Sequence, residues 1–452
     1  MAERRMAIKS NRITHHDKSV SGQILIESGR ILDVVSRDEP LDASWDTMDL
    51  PDPVCVSPGF IDCHVHINEP GRTHWEGFDS ATRAAAAGGL TSLIEMPLNA
   101  SPVTTTAENF DLKAAATTGN LHVNCGFWGG LVPDNLFDLE EMLDRGVFGL
   151  KAFLTHSGID EFPNTSDVHL RSALQILKKY NRPLLVHCEL ESENPDAHLL
   201  AENPRNYAAY LKSRPKAWEN DAIDLVIRLC RETGSRVHIV HLSSAEALPA
   251  IRKAKAEGLP LTVETCPHYI VFNAEDIGDG QTQFKCAPPI REKANNELLW
   301  EALLDGTIDF LGSDHSPAPP DLKQTETGNF QKAWGGIAGL QFLMPAFWTE
   351  AKKRGFSEPD LVRLLSSAPS VFCGLDTRKG KIAPGADADL VIWNPEASFT
   401  LTTDQILHRH KVCPYLGNTM SGVVEKTIVG GETVFDSGRF LHLAQGSILY
   451  PS

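Results

Sequence analysis

Residues 57–66, SPGFIDCHVH, decide the fold. They continue a short apolar run, 54–61, which is typical of a buried β-strand, and they lead into His64 and His66. An open, doubly wound sheet would more often carry a glycine-rich phosphate loop after its first strand. Histidines in that place favour a closed barrel, because barrels place functional side chains at the carboxyl ends of their strands.

Further β-rich runs follow along the chain, with Ala- and Leu-rich stretches of helical composition between them, such as 80–87, 170–180 and 221–231. With the first run they make eight strand-helix units, the number that a (β/α)8 TIM barrel requires. The eight runs are 54–61, 90–96, 122–128, 146–154, 183–188, 236–242, 261–266 and 308–312.

The two ends of the chain have a different pattern, with short strands and glycine-rich turns at 21–32 and 426–435. We therefore predict an α/β protein in which both termini build one small β-sandwich domain. Its two parts would be residues 1–53 and 382–452, and the barrel would be residues 54–381.

Histidines and an aspartate stand at the ends of several predicted strands. His64 and His66 are two residues apart on an extended strand, so both side chains point to one side. His187 and His241 follow the fifth and sixth runs, and Asp314 follows the eighth. A single histidine would more often be a hydrogen-bonded core residue. Three strand ends with histidine and one with aspartate favour a site for one or two divalent cations.

Another histidine pair, His408 and His410, lies among polar residues near the C-terminus. It shows that an isolated His-x-His pattern is a weak signal. We interpret this pair as a structural or surface element.

Lys151 lies in an otherwise apolar run, 147–154. A bare ammonium there would have a large desolvation cost, unless the side chain reaches solvent at the barrel rim. The residues alone leave both a structural and a functional role open.

Composition excludes several classes of protein. The formal net charge of −17 argues against a nucleic-acid partner, and no run of about 18 apolar residues predicts a membrane span. The nine cysteines are widely spaced and form no Cys-x-x-Cys pair, which is typical of buried thiols in a reducing compartment. Since residues 1–11 also lack the apolar core of a secretory signal, we expect a cytoplasmic protein.

These motifs resemble the cyclic amidohydrolase group of the amidohydrolase superfamily, which includes allantoinases, dihydroorotases and hydantoinases. The resemblance covers nearly the whole chain. The motifs that carry it are PGFIDCHVH (58–66), LKAF (150–153), VHIVHLS (237–243), GSDHSP (312–317) and GADADLV (385–391).

The resemblance implies a barrel with two divalent metals, zinc as the expected ion and cobalt or manganese as alternatives. It assigns six metal ligands, which are His64, His66, Lys151, His187, His241 and Asp314. The first two histidines and the aspartate would hold one metal, and the later two histidines the other. The lysine, carbamylated by carbon dioxide, would bridge the two metals. Relatives in the group also imply a homo-oligomer, with a tetramer expected.

Within the group, the details resemble the allantoinase family, at 68–73, 95–99, 285–291 and 334–339. Dihydroorotases carry an arginine two residues after the second histidine, to pair with the substrate carboxylate, and this chain has Asn68 there. Hydantoinases carry a tyrosine five residues after the modified lysine, and this chain has His156.

The function expected from this resemblance is hydrolytic ring opening of allantoin to allantoate, in purine and ureide catabolism. Asp314 is the predicted catalytic proton shuttle. The candidate substrate contacts are Asn68, Asn99, His156, Ala287, Ser316 and Gly336. Loop geometry alone is the other explanation for the residues near 287 and 336.

Two alternatives remain open at the sequence level. One is a hydantoinase, dihydropyrimidinase or dihydroorotase that acts on another cyclic amide. The other is a non-catalytic scaffold, which we would expect to have lost metal ligands, whereas this chain retains all six.

Overall fold

The computed structural model describes residues 5–15, 18–441 and 445–451. The ends of the predicted β domain, at 1–4 and 452, and two short internal stretches of it, 16–17 and 442–444, lie outside the described residues. The N-terminal part contains five strands, which are β1 (Arg5–His15), β2 (Lys18–Glu27), β3 (Arg30–Val35), β4 (Asp46–Asp49) and β5 (Cys55–Pro58).

The middle of the chain forms a parallel barrel. Its strands are β6 (Phe60–Val65), β7 (Leu90–Glu95), β8 (Asn124–Phe127), β9 (Gly129–Gly130), β10 (Leu150–Phe153), β11 (Leu184–His187), β12 (Val237–Ile239), β13 (Leu261–Thr265) and β14 (Phe310–Leu311). Strand β7 lies between β6 and β8, and β9 to β14 pair in chain order. Because β8 and β9 are separated only by Trp128, they form one barrel strand in two pieces.

A backbone hydrogen bond joins the first and last barrel strands. The N–H of His66 donates to the carbonyl of His315 at 2.8 Å, and Val65 bridges to His315 in parallel. The eight strands therefore close, which confirms the predicted (β/α)8 barrel.

Thirteen α-helices lie within the described residues. They are α1 (Phe78–Ala87), α2 (Ala107–Ala116), α3 (Leu139–Arg145), α4 (Asp167–Tyr180), α5 (His198–Glu202), α6 (Tyr207–Ser213), α7 (Lys216–Thr233), α8 (Leu248–Ala256), α9 (Pro267–Val271), α10 (Lys293–Leu304), α11 (Leu343–Ala351), α12 (Glu358–Val362) and α13 (Ala368–Cys373). None of the helices among these residues combines the length and apolar character needed to cross a bilayer.

Helix α4 shows how the local sequence sets these elements. Leu170, Leu174 and Leu177 recur at helical spacing and are all buried, so one face of the helix packs against the barrel. Ser166 caps its first turn, and Asn181 ends it in the left-handed conformation with φ 52°.

Both ends of the chain contribute to one nine-stranded sheet. The C-terminal strands are β15 (Leu390–Thr400), β16 (Thr419–Val429), β17 (Glu432–Asp436) and β18 (Arg439–Phe440). The sheet order is β18-β17-β16-β15-β5-β1-β2-β3, with β4 beside β1. A β domain assembled from both termini is thereby confirmed. The domain boundaries at 53/54 and 381/382 stay a prediction.

The run 54–61, which we predicted as one barrel strand, divides between the two sheets. Strand β5 pairs with β1 and β15 in the terminal sheet, whereas β6 begins the barrel. Gly59 lies at the change, where an added Cβ would come 2.1 Å from the Thr91 hydroxyl oxygen. Only glycine fits this close approach. At this residue the run 54–61 passes from the terminal β domain into the barrel.

Candidate metal centre and substrate pocket

The predicted metal ligands lie at the carboxyl ends of the barrel strands. His64 is on β6, His187 ends β11, and His241 and Asp314 follow β12 and β14. Asp314 lies beside His64 and His66 because β6 and β14 are neighbours in the closed barrel.

His64, His66 and Asp314 form what we call the first ligand set. Their ligand atoms all lie within 4.8 Å of one another, and all three residues are buried. The Nε2 atoms of His64 and His66 lie 3.2 and 3.4 Å from Asp314 Oδ1. Two imidazoles and a carboxylate at these distances suit a divalent cation.

The outer nitrogens of both histidines are held by other groups. His64 Nδ1 contacts the carboxylate of buried Glu264, and His66 Nδ1 donates to the carbonyl of Leu98 at 2.8 Å. Such contacts fix the tautomer and orientation of a metal-binding histidine. Both Nε2 atoms are thereby left to face Asp314.

His187, His241 and Lys151 form the second ligand set. His187 Nδ1 lies 2.9 Å from His241 Nε2, and the rings of His241 and His64 have centroids 5.4 Å apart, so the two sets adjoin. His187 Nε2 lies 2.8 Å from Glu189, a buried carboxylate that Arg214 also holds. This arrangement directs His187 Nδ1 toward the site.

Lys151 is the exceptional member of the second ligand set. It is on β10 and 1 % exposed, and its Nζ finds no hydrogen-bond partner within residues 5–15, 18–441 and 445–451. Its ammonium lies over the Phe153 ring, 5.0 Å from the centroid. An unpaired buried ammonium is unfavourable, so this side chain fits a group that is added to Nζ or bound beside it.

Electrostatics differ among the ligands. Burial alone would raise the pKa of Asp314, but His64 and His66 lower it to about 2. Burial lowers the pKa of Lys151 to about 8, against the opposing effect of Asp314. Burial also lowers the pKa of His187 and His241, which favours the neutral imidazole that binds metals.

The backbone is left-handed at two of these ligands. His241 has φ 40° and Asp314 has φ 43°, a region that L-residues seldom adopt and that asparagine, aspartate and histidine enter most readily. Such conformations cluster at functional sites, because the surrounding structure must hold them in place.

A cavity of about 480 Å³ opens onto both ligand sets. Four of the six predicted substrate contacts line it, which are Asn99, His156, Ala287 and Ser316. Asn68 and Gly336 do not. Asn68 is fully buried and accepts a hydrogen bond from Asn99 at 3.4 Å, so it supports a lining residue.

His156 lies at the cavity mouth and is 59 % exposed at its side chain. Its Nδ1 accepts a hydrogen bond from the backbone N–H of Gly158 at 3.1 Å. This residue therefore contacts its own loop more than the interior of the site.

Several residues of the site were not predicted from the sequence. Tyr210 and Arg214 line the cavity, and Glu189 supports His187, although no motif contains them. Lys285 and Trp334 also line it and begin the segments 285–291 and 334–339, but they were not named as contacts. Glu189 stands two residues after a predicted ligand, a spacing that could have drawn attention to it. Tyr210 lies on α6 and Arg214 directly follows it, and no local pattern connects them with the ligands.

The second histidine pair lies away from the cavity lining. His408 is fully buried with its ring centroid 5.6 Å from that of His315, whereas half-buried His410 donates to the carbonyl of His74 at 2.8 Å. Within the described part of the chain, the only cluster of three or more ligand atoms is His64, His66 and Asp314.

Comparison with known proteins identifies the family of the chain. The model of the amidohydrolase family matches residues 55–434. The allantoinase of Arabidopsis thaliana is 45 % identical over 98 % of this chain and 90 % of its own length. That of Streptomyces avermitilis is 45 % identical over 97 % of each chain.

A solved structure is also similar. The L-hydantoinase (dihydropyrimidinase) from Arthrobacter aurescens superposes with a TM-score of 0.92 and 30 % identity, over 98 % of this chain and 99 % of that one. This likeness extends over both the barrel and the terminal β domain. The chain therefore belongs to the amidohydrolase family, and within it to the group of the allantoinases.

Proposed function

We propose that this protein hydrolyses allantoin to allantoate, as a binuclear metal-dependent cyclic amidohydrolase. The proposal rests on His64, His66 and Asp314, which are buried and lie close together at the cavity. The chain that brings them together is 45 % identical to allantoinases. A non-catalytic scaffold would not need to keep these ligands together.

Two divalent ions would occupy the two ligand sets. His64, His66 and Asp314 would hold one, and His187 and His241 the other. Zinc is the expected metal, and cobalt or manganese accept the same donors. When bound, the two ions would lower the pKa of a shared water and polarise the ring carbonyl.

Lys151 would bridge the two ions as a carbamate. Its neutral Nζ adds to the carbon of carbon dioxide, a new N–C bond forms, and one proton is released. The product is an anionic carboxylate in place of a cation. The buried Nζ without a partner supports this assignment, because a carbamate would remove the unpaired ammonium.

Asp314 would move the proton during ring opening. It accepts a proton from the attacking water and delivers it to the ring nitrogen when the amide C–N bond breaks. The water oxygen bonds to the carbonyl carbon before that C–N bond breaks, and the product is a linear ureido acid. The pKa of Asp314, lowered to about 2 by His64 and His66, keeps its carboxylate ionised and therefore available as an anionic ligand.

Neutral groups would select allantoin. Asn99 lies in the cavity wall, and Asn68 supports it from behind. A dihydroorotase needs a cation for its substrate carboxylate. Arg214, which also lines the cavity, is already paired with Glu189. Allantoin carries no carboxylate and requires only polar, uncharged partners.

A turnover screen tests the substrate. Allantoin, dihydroorotate, dihydrouracil and hydantoin are compared on one metal-loaded preparation. A missing charged pair costs about 2–5 kcal/mol, so kcat/KM for allantoin should exceed that for dihydroorotate by tens- to thousands-fold. Equal or better turnover of dihydroorotate would reject allantoin and leave the fold unaffected.

We also propose a homotetramer and a cytoplasmic location. The tetramer rests on the resemblance to the cyclic amidohydrolase group, and Phe137, which is 99 % exposed, is one residue to test as a subunit contact. All nine cysteines are free and buried, which suits a reducing compartment. Light scattering that gives the mass of one chain would contradict the tetramer, and cell fractionation tests the compartment.

A further inference from the structure

Lys323 is a buried lysine that contacts backbone oxygens. It is 4 % exposed, and its Nζ donates to the carbonyl of Lys285 at 2.7 Å and to that of Trp334 at 3.0 Å. A third hydrogen bond goes to the carbonyl of Gly336. Three acceptors match the three donors of an ammonium group.

The three carbonyls belong to two loops at the cavity. Lys285 and Ala287 line it from one loop, and Trp334 and Gly335 from the other. The loops also join directly, since the N–H of Gly336 donates to the carbonyl of Lys285 at 2.9 Å. Lys323 therefore holds both loops in one arrangement.

The hydrogen bond to Trp334 fixes the direction of a neighbouring donor. Its carbonyl shares a trans peptide with the N–H of Gly335, and the two groups point in opposite directions. Lys323 donates to that carbonyl from outside the cavity lining, so the N–H of Gly335, a lining residue, points away from Lys323.

The peptide before Ala287 is held in a similar way. The hydroxyl of Tyr210 donates to the carbonyl of Cys286 at 2.6 Å, so the N–H of Ala287 points away from Tyr210. Neither the N–H of Gly335 nor that of Ala287 has an acceptor among the described residues. A Cβ built on Gly335 lies 4.0 Å from Ala287 N, so the two amides are neighbours.

We propose that Lys323 is a positioning residue for substrate binding, which sets the N–H groups of Gly335 and Ala287 to donate together to one carbonyl oxygen of a cyclic amide or urea. The proposal rests on the proposed function for the class of substrate. Lys323 itself does not line the cavity and acts only through the two loops.

Lys323→Met tests this role, because methionine keeps the length of the side chain and removes all three donors. We expect KM for allantoin to rise about tenfold while kcat changes less than about threefold, since the lost contacts bind substrate and transition state alike. Metal content, measured by elemental analysis, should stay that of the wild type.

Lys379→Met is the matched control. Lys379 is also buried, but it pairs with Asp387 and Asp389 away from the cavity. We expect both variants to lower Tm, and only the change at Lys323 to raise KM. If both variants raise KM equally, the effect is general loosening and the proposal is wrong.

Lys323→Gln covers the case in which the methionine variant does not fold. A side-chain amide has two N–H donors, so one of the three carbonyls must lose its partner and KM should still rise about threefold. Wild-type KM in either variant at Lys323 would overturn the proposal. If the wild-type protein opens another cyclic amide instead of allantoin, the proposed function fails, and the same variants are compared on that substrate.

Discussion

The two ligand sets of the site differ in what they need to be complete. In the first set, the ligand atoms of His64, His66 and Asp314 lie within 4.8 Å of one another. In the second, two histidine nitrogens lie 2.9 Å apart, and the Nζ of Lys151 has no hydrogen-bond partner among the described residues. The first set has its carboxylate in an unmodified side chain, whereas the second, as proposed, would need an anion that unmodified lysine does not supply.

The charged groups of the two ligand sets differ in the same way. Asp314 brings a carboxylate whose pKa is lowered to about 2 by His64 and His66, against the effect of burial. Lys151 brings an amine whose pKa burial lowers to about 8. A metal in the first set would have an anionic ligand in the Asp314 carboxylate. A metal in the second set would depend on the proposed carbamylation of Lys151 Nζ. The variants below test this contrast, from the largest expected effect to the smallest.

Asp314→Asn should have the largest effect, because it removes both an anionic ligand and the proposed proton acceptor. We expect kcat for allantoin to fall by about 10⁴-fold. Elemental analysis should find about one metal less per chain than in the wild type. More than a tenth of wild-type kcat would show that this carboxylate does not move the proton.

Lys151→Ala should disable the second set and leave the first intact. We expect activity to fall by about 10³-fold and the second set to lose its metal, while the first set retains its own. A short carboxylic acid such as propionate should restore part of the activity and part of the lost metal. Sodium chloride at equal ionic strength is the control. If Lys151→Ala kept full metal content and activity without added acid, the second set would not need the anion that we propose.

Glu189→Gln and Glu264→Gln should each weaken one set. Glu189 holds His187 of the second set, and Glu264 holds His64 of the first. Glu264 also accepts a hydrogen bond from the backbone N–H of His241 at 3.3 Å, which the amide oxygen of glutamine can still accept. Loss of such a partner lowers metal affinity by about 10- to 100-fold. Chelator competition, followed with cobalt absorption, should show one weakened ion in each variant. Equal weakening of both ions in both variants would mean that the sets are not independent.

His156→Ala should have the smallest effect. The imidazole is 59 % exposed and accepts a hydrogen bond from its own loop, so we expect kcat/KM to change less than about threefold. Steady-state kinetics on allantoin measure it. A loss above about tenfold would place this imidazole among the groups that stabilise the reaction.

Much of the barrel was predictable because its strands are buried on both faces. Such strands appear as short continuous apolar runs, and the run 183–188 contains β11 (Leu184–His187). The sequence did not show that 54–61 divides between two sheets. That division depends on the contact of Gly59 with Thr91, which lies on another strand.

The ligands were predictable for a related reason. Strand ends converge in a barrel, so His64, His187 and Asp314 could be placed on one face from strand order alone. Lys323 could not, because its role depends on carbonyls of Lys285 and Trp334 that carry no side-chain signal. Asn68 was expected in the cavity, but it lies behind Asn99.

Closure of the barrel between its first and last strands also governs when the site can form during synthesis. The hydroxyl of Ser313 donates to the carbonyl of His64 at 3.4 Å, across 249 residues of chain. A ribosome that adds about 5–20 residues per second needs roughly 10–50 s to cover that distance. Until then His64 and His66 emerge as a chelating pair without their carboxylate. Selective metal uptake by the first set, as proposed, would therefore follow the arrival of the last barrel strand.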